Sequence, residues 1–203
     1  MLKHLCLYGA SWHGREVFCI AIDSGLYIGR GCFLDDSKTG KVDGMPILPG
    51  SMAKDPEFLS SHRFLVTIGD NEARLRIGRE IEKRGGEVIS LVHPSALLWS
   101  NDIGKGSVIF PRAIVSIGAK VGDFCIVNKH ATVGHGAVME DGSNIADSTA
   151  MSGRIGTCSF MGLHAVAIPD VDIGSHCTVG AGAVVIRSVP DGATVVGVPA
   201  RQK

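Results

Sequence analysis

An apolar residue recurs at every sixth position between Ile103 and Arg187, and this spacing constrains the fold more than any other feature of the 203-residue chain. The repeat keeps one register up to Met151 and a second from Ile155. The repeating residues are Ile103, Ile109, Val115, Val121, Val127, Val133, Met139, Ile145 and Met151, then Ile155, Met161, Ala167, Ile173, Val179 and Val185. Neither an α-helix nor a hairpin has this period, so the stretch is neither.

Small residues occupy a second recurring position, four residues after each apolar one. Ala113, Ala119 and Cys125 are examples, and Val171 is the one larger residue of the set. A six-residue unit with one apolar and one small inward position is the hexapeptide form of the β-helix. Three units make a triangular coil of 18 residues, so five coils at a spacing of roughly 4.8 Å predict a prism about 24 Å tall.

The register breaks once, because the step from Met151 to Ile155 is four residues rather than six. Two residues are therefore missing from one corner, at Ser152-Gly153-Arg154. One interpretation is a tightened corner that the conformational freedom of Gly153 permits. The other is a cleft reshaped beside that corner.

Residues 1–92 show a different pattern, in which strands alternate with helices. Strands are predicted at 3–8, 32–34, 63–68 and 88–92, and helices at 15–23 and 72–84. This order predicts a small Rossmann-like parallel sheet, with ligands bound at the carboxyl ends of its strands. The fold class is thus an α/β N-terminal domain (1–92) followed by an all-β domain (93–203), a left-handed parallel β-helix with a C-terminal cap.

Polar residues follow the predicted strand ends and mark a binding crevice. The first strand runs into a turn and a helix start, which offers backbone N–H groups to a phosphate. Asp35 and Asp36 follow the second strand and offer acceptors to a ribose or a base. Trp12 lies where a dinucleotide-binding turn needs a glycine, so we exclude NAD and retain a nucleotide-bearing ligand.

Composition narrows the class of protein. Lysine plus arginine and aspartate plus glutamate are equal at 20 each, which gives no support to nucleic-acid binding. The chain shows neither a signal peptide nor a run of 18 apolar residues, so neither export nor a membrane span is expected. Six cysteines without paired spacing predict free buried thiols in a cytoplasmic protein.

Short strings along the whole chain resemble one family closely, the bacterial acetyltransferases of nucleotide-linked amino sugars together with the sialic acid O-acetyltransferases. The strings are Gly9-Ala-Ser-Trp-His-Gly-Arg-Glu-Val17, Phe33-Leu-Asp-Asp36, Ile68-Gly-Asp-Asn71, His93-Pro-Ser-Ala96, Val127-Asn128, Val133-Gly-His135 and Val195-Val-Gly-Val-Pro-Ala200. The set as a whole is specific to the family, although it does not specify the sugar.

The resemblance implies an activity, a cosubstrate, an assembly and a site. Acetyl-coenzyme A would lie along the β-helix between neighbouring subunits of a homotrimer, no metal would be required, and His135 would be the catalytic base. Acetyl-coenzyme A would contact Asn128, Asn144, Gly153 and Ala181. The nucleotide-sugar would contact Gly9, Ser11, His13, Asp35, Asp36 and Gly69.

One residue departs from the family pattern, which commonly has an acidic residue directly after the histidine. This chain has Gly136 there, so a backbone carbonyl, a water molecule or a carboxylate from elsewhere, including a neighbouring subunit, would have to orient the imidazole. Acetyl transfer to an amine needs a base to take its proton and donors for the oxyanion. His135 lies at a predicted corner and can face a groove, whereas Cys125 and Cys177 occupy inward positions as core fillers.

The chain therefore resembles an N-acetyltransferase of a nucleotide-linked 4-amino-4,6-dideoxy sugar, in a pathway for surface glycans. The sequence does not distinguish UDP, dTDP and GDP. O-acetylation of sialic acid or a related sugar, and a non-catalytic trimeric scaffold, remain alternatives. A zinc hydratase built on His130, His135 and His164 is a third, although His164 is not expected to stack over either of the others.

Overall fold

The structure is a computed structural model and describes residues 3–203. Contacts divide the chain into two units, one ending at Leu91 and the other beginning at Val92. This division falls within a two-residue strand, and the sequence-based boundary was one residue later. The first two residues of the predicted N-terminal domain lie outside the described residues.

The N-terminal unit is a twisted sheet flanked by helices. Its strands are β1 (His4–Tyr8), β2 (Gly31–Asp35), β3 (Gly40–Val42), β4 (Met45–Pro49), β5 (His62–Val66) and β6 (Glu87–Val88). Its helices are α1 (Trp12–Asp23), a 3-10 helix (Gly50–Lys54), α2 (Pro56–Ser61) and α3 (Asn71–Lys83). The spatial order is β3-β4-β2-β1-β5-β6, and all neighbours are parallel except β3 and β4.

The strand order places the crevice of this unit. The chain runs outward from β1 to β2 on one side and returns to β5 on the other, so β1 lies at a topological switch point. Leu5 and Leu7 of β1 are almost fully buried, as expected for a central strand covered on both faces. The loop after β1 therefore opens at the edge where open α/β sheets bind their ligands.

Several sequence-based boundaries were wrong in this unit. The hairpin of β3 and β4 was missed, although Asp43 and Gly44 both have positive φ and form the tight turn that an Asp-Gly pair favours. The helix α2 was also missed. Its signal was Asp55, whose carboxylate accepts the N–H groups of Glu57 and Phe58 at 2.8 and 3.0 Å. The single strand predicted at 88–92 is interrupted, and gives β6 and β7 (Leu91–Val92).

The C-terminal unit is the predicted parallel β-helix, and its left-handed class is confirmed. Face 1 carries β9 (Val108–Ile109), β12 (Ile126–Val127), β15 (Asn144–Ile145), β18 (Phe160–Met161), β21 (Thr178–Val179) and β23 (Thr194–Val196). Face 2 carries β8 (Leu97–Leu98), β10 (Ile114–Val115), β13 (Thr132–Val133), β16 (Ala150–Met151), β19 (Val166–Ala167) and β22 (Val184–Val185). Face 3 carries β11 (Lys120–Val121), β14 (Val138–Met139), β17 (Arg154–Ile155) and β20 (Asp172–Ile173).

The hexad residues fill the core of the prism as predicted. Val115, Val133 and Met151 stack on face 2, and each is at most 1% exposed. Ala113 and Ala131 occupy the small inward position and are fully buried. Each coil buries its apolar residues against the coils above and below, which is how such repeats are stabilised. At the end of the stack β24 (Arg201–Gln202) pairs antiparallel with β23.

Two further expectations concern the chain as a whole. Within residues 3–203 no helix has the length and apolar character needed to cross a bilayer. All six cysteines are free, but Cys19 is exposed on α1 and so departs from the expectation of buried thiols. Its position opposite the buried stripe of Val17 and Ala21 explains the exposure.

Candidate acetyl-transfer site

His135 lies in the turn that joins face 2 to face 3, which we call the histidine corner (residues 134–137 and the residues stacked on them). The turn is closed by a hydrogen bond from the Ala137 N–H to the Gly134 carbonyl at 3.1 Å, and Gly136 has a φ of +66°. The side chain of His135 is exposed, as predicted for a corner residue. No hydrogen bond within residues 3–203 orients its imidazole.

The coil above His135 is shortened at this same corner. Strand pairing advances by 18 residues from Val133 to Met151, but by only 16 from Met139 to Ile155. The two missing residues therefore fall between Ser152 and Arg154, as the sequence predicted. Gly153 makes the tight turn with a φ of +102°, where a Cβ would approach the Val171 carbonyl oxygen within 2.4 Å.

The shortening leaves the upper side of the His135 turn open. At the corresponding turn one coil below, the Ile117 carbonyl accepts the Gly136 N–H at 3.0 Å. The His135 carbonyl receives no such bond among the described residues, because the residue that would donate it is one of the two missing ones. The Gly153 N–H also has no hydrogen-bond acceptor among residues 3–203. An unused acceptor thus lies in the turn of His135, and an unused donor lies in the coil above it.

Two glycines of the same corner, Gly118 and Gly136, are not demanded by packing. A Cβ on Gly136 would meet nothing within 4 Å, and one on Gly118 would meet only Gly136 atoms at 3.8 Å or more. Positive φ alone does not require glycine here, because side chains are carried at the same turn position of the other two corners. Those residues are Arg112, Phe124, His130, Ser148, Cys158, His164 and His176. At the histidine corner itself Asp170 carries a side chain at this turn position, with a φ of +60°. Next to the exposed imidazole, the histidine corner therefore has two positions without side chains, Gly118 and Gly136.

The other residues expected near acetyl-coenzyme A lie at a different corner. Asn128 begins the turn from face 1 to face 2, which we call the asparagine corner (residues 128–131 and the residues stacked on them). Its amide nitrogen donates to the Asn144 side-chain oxygen and to the Ile145 carbonyl, both at 3.3 Å. Ala181 lies at the same corner in a later coil. Face 2 separates this group from His135 and Gly153, so one chain does not bring the five together.

In the N-terminal unit the loop after β1 is packed against the end of β5. The Thr67 hydroxyl donates to the carbonyls of Tyr8 and Gly9 at 3.1 and 2.9 Å. Gly9 has a φ of +120°, and a Cβ there would come within 2.8 Å of the Thr67 carbonyl oxygen. Only glycine suits this close approach. Ser11 then forms the N-cap of α1, without a side-chain capping bond, and His13 lies in the first turn.

Asp35 is committed to holding this loop in place. One carboxylate oxygen accepts the Ala10 N–H at 2.9 Å, and the other accepts from the Ser37 N–H and hydroxyl and from the Lys38 N–H at 2.9 to 3.0 Å. Burial alone would raise the pKa of Asp35, but these hydrogen bonds outweigh it and lower the pKa below its usual value. The carboxylate therefore has little capacity left for a ligand.

Asp36 faces the opposite way, into a cavity of about 290 Å³. It accepts a hydrogen bond from the Tyr8 hydroxyl at 3.1 Å. Burial, followed by this bond to Asp36, raises the pKa of Tyr8 to about 12, so the phenol stays a donor at neutral pH. Lys54 and Arg76 also line the cavity. Sequence reasoning missed all three of these neighbours, because they come from separate elements.

Gly69 lies in the loop between β5 and α3, where a buried arginine braces the backbone. The guanidinium of Arg74 is 1% exposed and donates to the Ile68 and Gly69 carbonyls at 3.0 and 3.3 Å, and to the Asn71 side chain at 2.8 Å. Sequence reasoning also missed Arg74, which lies within a charged helix. The only available signal was its position on the inward side of α3.

The histidine set considered for zinc is arranged differently from the expectation. His164 was not expected to stack over the other histidines, but it lies in the same column as His130, two coils further on, with Ser148 between them. The two-residue shortening produces this alignment. His135 remains at the other end of face 2, and residues 3–203 contain no group of three metal-ligating side chains.

Comparisons with known proteins place the chain in a family. The profile of the family described as "PglD N-terminal domain" matches residues 4–81. GDP-perosamine N-acetyltransferase of Escherichia coli O157:H7 is 30% identical over 200 residues, covering 94% of this chain and 81% of the relative.

Solved structures match over the full length. The acetyltransferase domain of PglB from Neisseria gonorrhoeae FA1090 superposes with a TM-score of 0.93 at 34% identity, covering 100% of both chains, and the same domain is known in complex with acetyl coenzyme A. PerB from Caulobacter crescentus, in complex with CoA and GDP-perosamine, gives a TM-score of 0.90 at 27% identity, covering 100% of this chain and 98% of that one. The match therefore extends over both units.

Proposed function

This chain belongs to the family of acetyl-coenzyme A-dependent N-acetyltransferases of nucleotide-linked amino sugars, and we propose that its acceptor is the 4-amino group of a nucleotide-linked 4-amino-4,6-dideoxy sugar. The observation that carries the proposal is the exposed His135 at an open corner, within a chain similar over its full length to an enzyme bound to CoA and GDP-perosamine. Acetyl-coenzyme A is the acetyl donor.

In the proposed reaction His135 acts as general base. The sugar amine attacks the thioester carbonyl carbon, and a proton moves from the amine nitrogen to the imidazole. The tetrahedral oxyanion accepts hydrogen bonds from the N–H groups of Gly153 and Ala181. As the intermediate collapses, the carbon–sulfur bond breaks, the imidazolium returns the proton to the thiolate, and the amide and free coenzyme A leave.

The proposed site requires more than one copy of the chain. His135 and Gly153 lie at the histidine corner, whereas Asn128, Asn144 and Ala181 lie at or near the asparagine corner. Neighbouring copies in a homotrimer can bring the histidine corner of one against the asparagine corner of the next. Such an arrangement would also allow the neighbour to supply the group that orients the imidazole next to Gly136.

The N-terminal unit would hold the nucleotide. The Gly9 N–H already donates to the Leu34 carbonyl at 2.7 Å, so the diphosphate would bind further along the turn, at the start of α1 near Ser11 and His13. Asp36 and the cavity it shares with Lys54 would take the ribose or base. Gly69, in the loop after β5, would contact the nucleotide-sugar at the neighbouring strand end. Asp35 would act through the loop that it holds. Six free thiols favour the cytoplasm as the compartment.

A mass-spectrometric acetylation screen tests the proposal. Purified protein and acetyl-coenzyme A are incubated with UDP-, dTDP- and GDP-linked 4-amino-4,6-dideoxy sugars, with their 4-hydroxy counterparts, and with sialic acid. We expect acetylation of an amino sugar in one nucleotide series. Acetylation confined to hydroxyl groups would replace the proposal by O-acetylation. Coenzyme A binding without turnover of any sugar would favour the scaffold.

A further inference from the structure

Ile117, a large apolar residue that is 70% exposed, lies one coil below His135, the proposed catalytic base. Strand β10 pairs in register with β13, so Ile117 stacks one coil below His135 at the spacing of neighbouring strands, roughly 4.8 Å. The bond from the Gly136 N–H to the Ile117 carbonyl, 3.0 Å long, fixes this stacking. Both residues occupy the outward position of their turns.

The surroundings of Ile117 leave its side chain free to contact a ligand. Gly118 and Gly136 beside it carry no side chains, and a Cβ on either would meet open space or only distant backbone. Above His135 the shortened corner removes two residues, and the N–H of Gly153 lies on that side. With the thioester next to Gly153, the acceptor sugar has to approach the imidazole from the level of Ile117.

The chemistry of the acceptor supplies an apolar group at this level. During reaction the 4-amine lies within hydrogen-bond reach of the imidazole, about 3 Å. The C6 carbon of the sugar is three bonds from that amine nitrogen, through C4 and C5. In a 6-deoxy sugar C6 is a methyl group, whereas in an ordinary hexose it carries a hydroxyl. A hydroxyl against an isoleucine would lose hydrogen bonds to water without replacing them.

We propose that Ile117 is a specificity-determining residue that contacts the C6 methyl group and selects 6-deoxy sugars over their 6-hydroxy counterparts. This inference rests on the proposed function, because it assumes that His135 takes the proton from a 4-amine. The expected preference is about tenfold in kcat/KM, the lower end of the effect of one apolar contact. We expect the lower end of this range because Ile117 is exposed rather than enclosed in a pocket.

The test compares two acceptors and three proteins. The acceptors are the nucleotide-linked 4-amino-4,6-dideoxy sugar and the matching 4-amino-4-deoxy sugar with its 6-hydroxyl. The proteins are the natural chain, Ile117→Ser, and the control Ile186→Ser. Ile186 is 39% exposed on the same corner but four coils from Ile117. Because both isoleucines are exposed, we expect both variants to fold.

The natural protein should prefer the 6-deoxy acceptor about tenfold, Ile117→Ser should bring the two kcat/KM values within about twofold, and Ile186→Ser should keep the preference. Equal use of both acceptors by the natural protein would overturn the inference while leaving the proposed function intact. The inference would also be overturned if Ile117→Ser lost activity equally on both acceptors and changed its oligomeric state in light scattering. That result would assign Ile117 to a contact between subunits. No acetylation of either acceptor would refute the proposed function itself.

Discussion

At the scale of single residues, His135 differs from the other corner histidines by what surrounds it. His164 also lies exposed in a turn, with a φ of +57°, but the Asp147 carbonyl accepts its N–H at 3.1 Å as part of a complete ladder. His135 has an open side above it and bare glycines beside it. His135 is the candidate base because the open turn around it leaves space for acetyl-coenzyme A and the sugar, not merely because it is a histidine.

Replacing His135 with asparagine should lower kcat by roughly 10²- to 10⁴-fold, because the amine then loses its proton to water. Binding of acetyl-coenzyme A should change little, and isothermal titration calorimetry measures it. The matched control is His176→Asn, which lies at the corner between faces 3 and 1, away from both corners of the proposed site, and where asparagine tolerates the positive φ of +56°. Undiminished turnover in His135→Asn, or an equal loss in the control, would remove His135 from the mechanism.

Asp35 illustrates a site residue whose main task is structural. Its folded-state pKa is lowered, so the ionised form contributes stability that is present above the unfolded pKa of about 3.9 and is lost as the pH falls through the folded value. We expect Asp35→Asn to reduce the free energy of unfolding by about 1–2 kcal/mol at pH 7, because an amide cannot accept at both former oxygens.

Denaturant unfolding between pH 2 and pH 8 measures this effect. The gap between the natural protein and Asp35→Asn should be widest at neutral pH and should close toward pH 2. Asp170→Asn is the control, since Asp170 is exposed and its side chain accepts no hydrogen bond among residues 3–203. A gap that persists unchanged at pH 2 would show that ionisation of Asp35 is not the cause.

At the scale of elements, the short corner above His135 is a local interruption of the hydrogen-bond ladder between coils. Coils above and below it are joined by bonds such as Gly134 N–H to the Met151 carbonyl at 2.8 Å and Val138 N–H to the Gly153 carbonyl at 2.9 Å. Among residues 3–203 the turn of His135 and Gly136 receives no turn bond from the coil above it, and the same holds for the turn at 168–170, where pairing again advances by only 16 residues, from Ile173 to Val189. The interruption thus opens one corner while the core column of Val133 and Met151 continues through it.

Completing that corner should stabilise the β-helix. Inserting Asn-Ala between Gly153 and Arg154 restores an 18-residue coil and supplies an N–H for the His135 carbonyl. One added hydrogen bond predicts a gain of about 1 kcal/mol in the free energy of unfolding. The same insertion between Gly136 and Ala137 interrupts a complete turn and should destabilise the protein. A lower melting temperature for the first insertion would contradict this reading of the gap.

At the scale of the whole molecule, the two corners that carry the proposed coenzyme A site lie on opposite edges of face 2. Asn128 and His135 are only seven residues apart in sequence, yet a complete face of the prism lies between their turns. A site containing both corners therefore has to be built between copies. The proposed homotrimer supplies such contacts in a closed arrangement.

Mixed assemblies test whether the site is shared. The variants His135→Asn and Asn128→Ala should each be nearly inactive alone. When they are co-expressed with different tags and purified through both, a site can combine Asn128 of one subunit with His135 of its neighbour. Each doubly tagged trimer then contains one restored site at its three interfaces, so about a third of the natural number of sites should be active. Mixed assemblies without recovered activity would place both residues of each site on one chain.

The predictability of the two units differs for a physical reason. In the β-helix every coil contacts mainly its neighbours, so a six-residue spacing identified the faces, the core and the corner of His135. The N-terminal sheet depends on pairing between distant strands, and its exposed strand β3 and capped helix α2 carry no apolar period. Those elements were missed, and the strand predicted at 88–92 was interrupted.

The sequence by itself determined the prism, the missing pair of residues and the position of the candidate base, because these follow from spacing along the chain. Only the tertiary structure decided which polar groups are already occupied. Asp35 is held by Ala10, 25 residues away, and Asp36 by Tyr8, 28 residues away. The His135 carbonyl is left without its ladder partner. Hydrogen bonds between such distant groups depend on which segments come together in the folded chain, and no local sequence pattern predicts them.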